Sequence, residues 1–246
     1  IKIGVIEATE GKHRYYDASN PHLAQKTINF RASPSENSSY SISTHATKVL
    51  SILCGNQLVD LETGNAYQGI APYATVSLAN IRVQSEFSDS MNWLISVENV
   101  QIVNYSAGID KDGQYLDYDK MVDEYIALYR ILYVNAAGNN TVEITTPGMA
   151  YNAVTVGNYS QLKEHMGVYQ RVHTASCYVE EDHLTNKPDL CAVGTNIYMM
   201  YNSNAYAEDI GYGTSFAAPM VAGTAALMMQ ANSNLIGRPD AVKALL

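Results

Sequence analysis

Short apolar runs rich in β-branched residues alternate along the chain with stretches of helical period. Ile1–Ile6 reads as a buried central strand of the kind found in parallel sheets. Positions 49, 50, 53 and 54 are apolar at helical spacing, and the stretch stops at Gly55, which predicts a helix burying one face. Strands are expected from Val100 and over Ile131–Val134. Helices are expected over Asp89–Val97, Tyr115–Tyr129 and Ala217–Met229, and a last one opens at Arg238-Pro239-Asp240 with Pro in its first turn. Residues 31–44, rich in Ser and Asn, read as a surface loop. Alternation of short strands with helices predicts an α/β fold built on a mainly parallel sheet. No internal repeat, low-complexity tract or linker interrupts it, so residues 1–246 are expected to form one domain.

Composition narrows the function classes. The chain has 246 residues, enough for a full core, and 47% are apolar, as in globular proteins. No run approaches the roughly 20 apolar residues that span a bilayer. A net charge of -9 argues against nucleic acid as the main partner. Cys54, Cys177 and Cys191 have no metal-ligand spacing, and their odd number leaves at least one thiol unpaired. The chain opens directly into an apolar strand without a signal segment, which leads us to expect a mature or trimmed fragment and leaves the compartment open.

The candidate chemistry centres on Gly213-Thr214-Ser215-Phe216-Ala217-Ala218-Pro219-Met220-Val221-Ala222-Gly223. Ser215 falls at or just inside a helix N-terminus, where unpartnered N–H groups and the helix dipole favour negative charge. A serine there also serves as an ordinary N-cap. The eleven residues resemble the serine box of the subtilisin-like serine proteases (subtilases), G-T-S-x-A-A-P-x-V-A-G, at every fixed position. His45-Ala46-Thr47-Lys48-Val49 resembles the family's histidine box, with Ala46 in place of Gly. Asn135-Ala136-Ala137-Gly138-Asn139 resembles its A-A-A-G-N segment, and Val103-Asn104-Tyr105-Ser106-Ala107-Gly108 its strand beside the substrate. Gly69-Ile70-Ala71-Pro72 and Lys187-Pro188-Asp189-Leu190 resemble further family segments, so the likeness covers nearly the whole chain.

The resemblance implies a three-layer α/β/α sandwich and a serine endopeptidase. It assigns Ser215 as nucleophile, His45 as general base and Asn139 as oxyanion donor. Ser106, Ala107, Gly108, Ala137 and Gly138 would bind the substrate backbone. The orienting acid departs from the family: Glu7 stands where Asp is usual, and Thr9 replaces the glycine after it. Asp17 is a rival acid, placed in a polar loop rather than at a strand end. With Glu in the triad, a catalytically impaired pseudo-protease that binds peptides is the alternative function. The loop 141–147 is expected to wall the pocket beside the scissile bond, with Glu143 facing either the pocket or solvent. Subtilases often bind calcium, but His22 occupies a frequent ligand position, and Asp60, Glu62 and Asn65 lack the spacing of an oxygen cage. No cofactor is therefore expected. The partner is a peptide or protein substrate, with secretion or cell-surface display expected by family analogy.

Overall fold

The computed structural model describes residues 1–8, 13–32, 40–59, 64–140, 143–164, 167–179, 186–199 and 207–246. Its main sheet runs in the order Gly167–Val172, Val154–Glu164, Leu132–Ala136, Ile102–Tyr105, Lys2–Ala8, Thr75–Ile81 and Ile28–Arg31, and Leu190–Val193 also pairs with Val154–Glu164. All of these pairings are parallel except that of Val154–Glu164 with Gly167–Val172. This is the subtilisin-like α/β arrangement.

Side-chain alternation divides the central strands between two cores. Ile3, Val5, Leu78, Ile102 and Val134 pack on one face with Val49, Leu50 and Leu53 of helix Thr44–Cys54 and with Ala218, Val221 and Ala225 of helix Thr214–Ala231. Ile6, Ala79, Val103 and Tyr133 pack on the other face with Phe87, Met91 and Leu94 and with Val122 and Ile126 of helix Asp117–Tyr129. Burying both faces explains why the strands read as continuous apolar runs. Gly4 lets Leu94 pack close on the second face, because a Cβ there would lie 2.9 Å from both Leu94 methyl carbons. Some of the tyrosines are used here: Tyr105 and Tyr118 stand edge-on to Phe87 at ring-centroid distances of 5.6 and 4.6 Å.

Most expected elements are present, with shifted ends. The helix expected over 89–97 is an α-helix Phe87–Asn92 followed by a π-helical turn Trp93–Val97. The stretch 31–44 is not all loop. Ile28–Arg31 adds a strand at the sheet edge, and Tyr40–Ile42 pairs with His13–Tyr15. Both are short, and Ile28–Arg31 is partly exposed along its length, so neither gives the buried apolar run that marks the central strands. Residues 33–39 lie outside the described residues, as do Thr9, Asp60, Glu62 and Thr141.

Candidate active site

Parallel register brings the chemistry to one edge of the sheet. Ile6 pairs with Tyr105, and Tyr105 with Asn135, so Glu7, Ser106 and Ala136 follow one another across the C-terminal strand ends, with Ala137 one residue further on. Open α/β sheets place their sites along such an edge.

Glu7 is 3% exposed, and its Oε1 lies 2.8 Å from His45 Nδ1. Its backbone carbonyl accepts a hydrogen bond from Asn80 Nδ2 at 3.1 Å, which holds the strand end. His45 is the second residue of helix Thr44–Cys54, whose N-cap Ser43 accepts from the Ala46 N–H. The imidazole is 37% exposed. Asp17, the rival acid, is used elsewhere: its Oδ1 accepts from the Ser19 N–H and hydroxyl, and its own N–H donates to Thr47 Oγ1.

Ser215 is the second residue of helix Thr214–Ala231, inside the first turn where backbone N–H groups lack helical partners. The next residue, Phe216, sets its ring centroid 5.9 Å from that of His45, so the two helix starts lie side by side. Pro219 has no N–H to offer the Ser215 carbonyl one turn earlier. Ser106 fills that vacancy, donating its hydroxyl to Ser215 O at 2.9 Å while accepting from Asn104 Nδ2. The Ser106 side chain is therefore turned to the serine helix.

Asn139 is exposed beyond the turn Ala137-Gly138-Asn139, which needs glycine because Gly138 has φ +114°. Asn139 Oδ1 accepts from the Thr214 N–H at 2.8 Å and from its hydroxyl at 3.2 Å. An N–H can only meet the amide oxygen, so the orientation is fixed and the amide N–H₂ is the end directed elsewhere. Thr214 Oγ1 also accepts from the Gly138 N–H. No sequence cue beyond the box itself marked Thr214 for this double role.

Ala107 and Gly108 border a cavity of about 320 Å³ lined also by Ala8, Ile81, Tyr105 and Tyr118. Glu143 lies against Gly113: a Cβ on that glycine would stand 2.7 Å from Glu143 Cβ and nearer to its carboxylate. His22 is buried against Gly55, and burial, reinforced by Lys26, pushes its pKa down to about 4. Among the described residues no group of three or more His, Cys, Asp or Glu side chains is placed to hold a metal ion, and no helix is long and apolar enough to cross a membrane. None of the three cysteines is disulfide-bonded.

A mainly parallel sheet with helices on both faces and an acid, histidine, asparagine and serine along one edge defines the subtilisin-like class. The chain belongs to the Subtilase family (Peptidase S8), whose profile matches residues 8–246. Its relatives include the serine protease AprX of Bacillus subtilis (strain 168), 28% identical over 215 residues, which are 73% of this chain and 47% of AprX. The chain thus spans about half the length of that relative. Among solved structures, a cold-adapted subtilisin-like serine proteinase superposes with a TM-score of 0.71 at 20% identity over 100% of this chain and 80% of its own. The prenylagaramide maturation protease PagA gives a TM-score of 0.71 at 20% identity over 95% of this chain and 77% of its own.

Proposed function

We propose that residues 1–246 form one serine endopeptidase unit in which Ser215, His45, Glu7 and Asn139 carry the reaction. The observation that carries the assignment is the 2.8 Å contact between buried Glu7 and the Nδ1 of a half-exposed His45. A buried carboxylate on Nδ1 fixes the tautomer whose Nε2 accepts a proton and stabilises the imidazolium that results. Ser215 Oγ attacks the peptide carbonyl carbon as its proton passes to His45. The carbonyl oxygen becomes an oxyanion, held by the Ser215 N–H and Asn139 Nδ2. The C–N bond then breaks, the amine leaves with the proton from His45, and water hydrolyses the acyl-enzyme by the same route.

The extra methylene of Glu relative to Asp is accommodated in the 2.8 Å contact, which favours a working triad over a decayed one. The substrate adds as a strand along Ser106–Gly108, with Ala137 and Gly138 on the opposite side. Covalent labelling by a fluorophosphonate, mapped by peptide mass spectrometry, tests the assignment. Labelling at Ser215 that is absent in Ser215→Ala is expected. A folded protein that takes no label would instead be a peptide-binding domain.

A further inference from the structure

His45 and Lys48 stand three residues apart on helix Thr44–Cys54, a spacing that makes side chains neighbours. No other Lys, Arg, Asp or Glu residue occurs in that helix. Lys48 is 8% exposed, and its Nζ lies 5.7 Å from the centroid of the Phe216 ring. Phe216 is equally buried, and its ring centroid is 5.9 Å from that of His45. The aromatic ring that follows Ser215 in the chain therefore stands beside both the imidazole and the ammonium.

Burial opposes a cation here, and so does the positive end of the helix dipole close by. The aromatic face offsets part of that cost. From this position the charge acts on His45. The two ring distances put the ammonium within about 12 Å of the imidazole, and at that range a unit charge displaces a titration by about 0.3 to 1 pH unit, for an effective dielectric between about 80 and about 20. Helix Thr214–Ala231 and strand Thr195–Met199, both packed on this helix, carry no charged residue. Glu7 faces the imidazole from the first strand, and Tyr16, Asp17, His22 and Lys26 lie beside the helix further along. Strand His13–Tyr15, also packed against it, carries His13 and Arg14. These groups are common to the variants below, so a difference between variants isolates Lys48.

In the proposed reaction, on which this inference rests, His45 must be unprotonated to take the proton of Ser215. We propose that Lys48 acts on the reaction through His45: its ammonium, held beside Phe216, opposes protonation of the imidazole and keeps His45 a competent base at lower pH. The same charge opposes the imidazolium formed during attack, so the wider pH range is set against the maximal rate.

The acid limb of kcat/KM, which reports the free enzyme, tests this on any cleaved peptide. Lys48→Met is expected to move that limb up by about 0.3 to 1 pH unit, so that kcat/KM on the limb falls by about two- to tenfold while the plateau stays equal or rises. Lys48→Arg keeps the charge and should keep the wild-type limb. A lysine that only supports packing would lower the plateau of Lys48→Met and leave its limb in place, and that result overturns the inference. A limb shifted as far in Lys48→Arg as in Lys48→Met overturns it too. Lys48→Gln is read in the same way if the methionine variant lacks a cooperative thermal transition. If Ser215 takes the fluorophosphonate and the limbs coincide, only the inference about Lys48 fails. If Ser215 takes no label, the proposed reaction fails and the inference fails with it.

Discussion

Acidification from pH 7 to pH 5 destabilises the protein through His22. The imidazole is 6% exposed and lies over Gly55, and a hydrogen bond to the Ser51 carbonyl only partly offsets burial and the nearby Lys26 charge. The folded-state pKa is about 4 against 6.5 in a free chain, so between these values the unfolded chain binds the proton and the native one does not. The stabilisation is complete above the unfolded value and is lost as the pH falls toward the folded one. Linkage with these two values gives a loss of about 2 kcal/mol between pH 7 and pH 5. For a chain of this size that is a fall of roughly 4–8 °C in Tm. Buried Asp119, whose pKa is raised, acts in the opposite direction, and His173, whose pKa is lowered, acts in the same one. The assay is therefore a difference: urea unfolding at both pH values for the wild type and for His22→Asn, in which the other groups are common. The variant should lose about 2 kcal/mol less than the wild type over that interval. Equal losses in the two proteins would refute the buried, neutral state of His22.

Other predictions concern the site and its supports. Asn139→Ala should lower kcat by about 100- to 1000-fold with little change in KM, measured on any cleaved peptide. Ser106→Ala leaves the Ser215 carbonyl without the donor that Pro219 cannot supply, and should cost about 1–3 kcal/mol in urea unfolding; an unchanged midpoint would count against that bond. Asp189 joins buried Lys187 at 2.7 Å and Lys243 of the last helix at 2.9 Å. Asp189→Ala should therefore destabilise by about 3 kcal/mol or more, read from the same unfolding curves.

The sequence motifs carried the order of the site, and parallel register explains why they converge. Glu7, Ser106 and Ala137 each stand at or just beyond the C-terminal end of an apolar run, so reading the strands also located the edge. Other features were illegible because they depend on partners distant in sequence. Ser106 donates to a carbonyl 109 positions away, and that need arises only because Pro219 sits inside a helix. Asp17 differs, since its carboxylate accepts from Ser19 only two residues on, a turn pattern that its own segment displays. The edge strand Ile28–Arg31 was missed because four partly exposed residues, alternating Ile and Phe with Asn and Arg, are too few for their period to stand out.

The central claim is that Glu7 acts on Ser215 through His45, and the rate of fluorophosphonate acylation across a Glu7 series tests it most directly. Glu7→Gln keeps the side chain's size but removes the charge that stabilises the imidazolium, so the rate should fall by about three to four orders of magnitude. Glu7→Asp keeps the charge but shortens the reach to His45 Nδ1, and should fall between the wild type and Glu7→Gln. A Glu7→Gln protein that remains folded and is acylated at the wild-type rate would contradict the account.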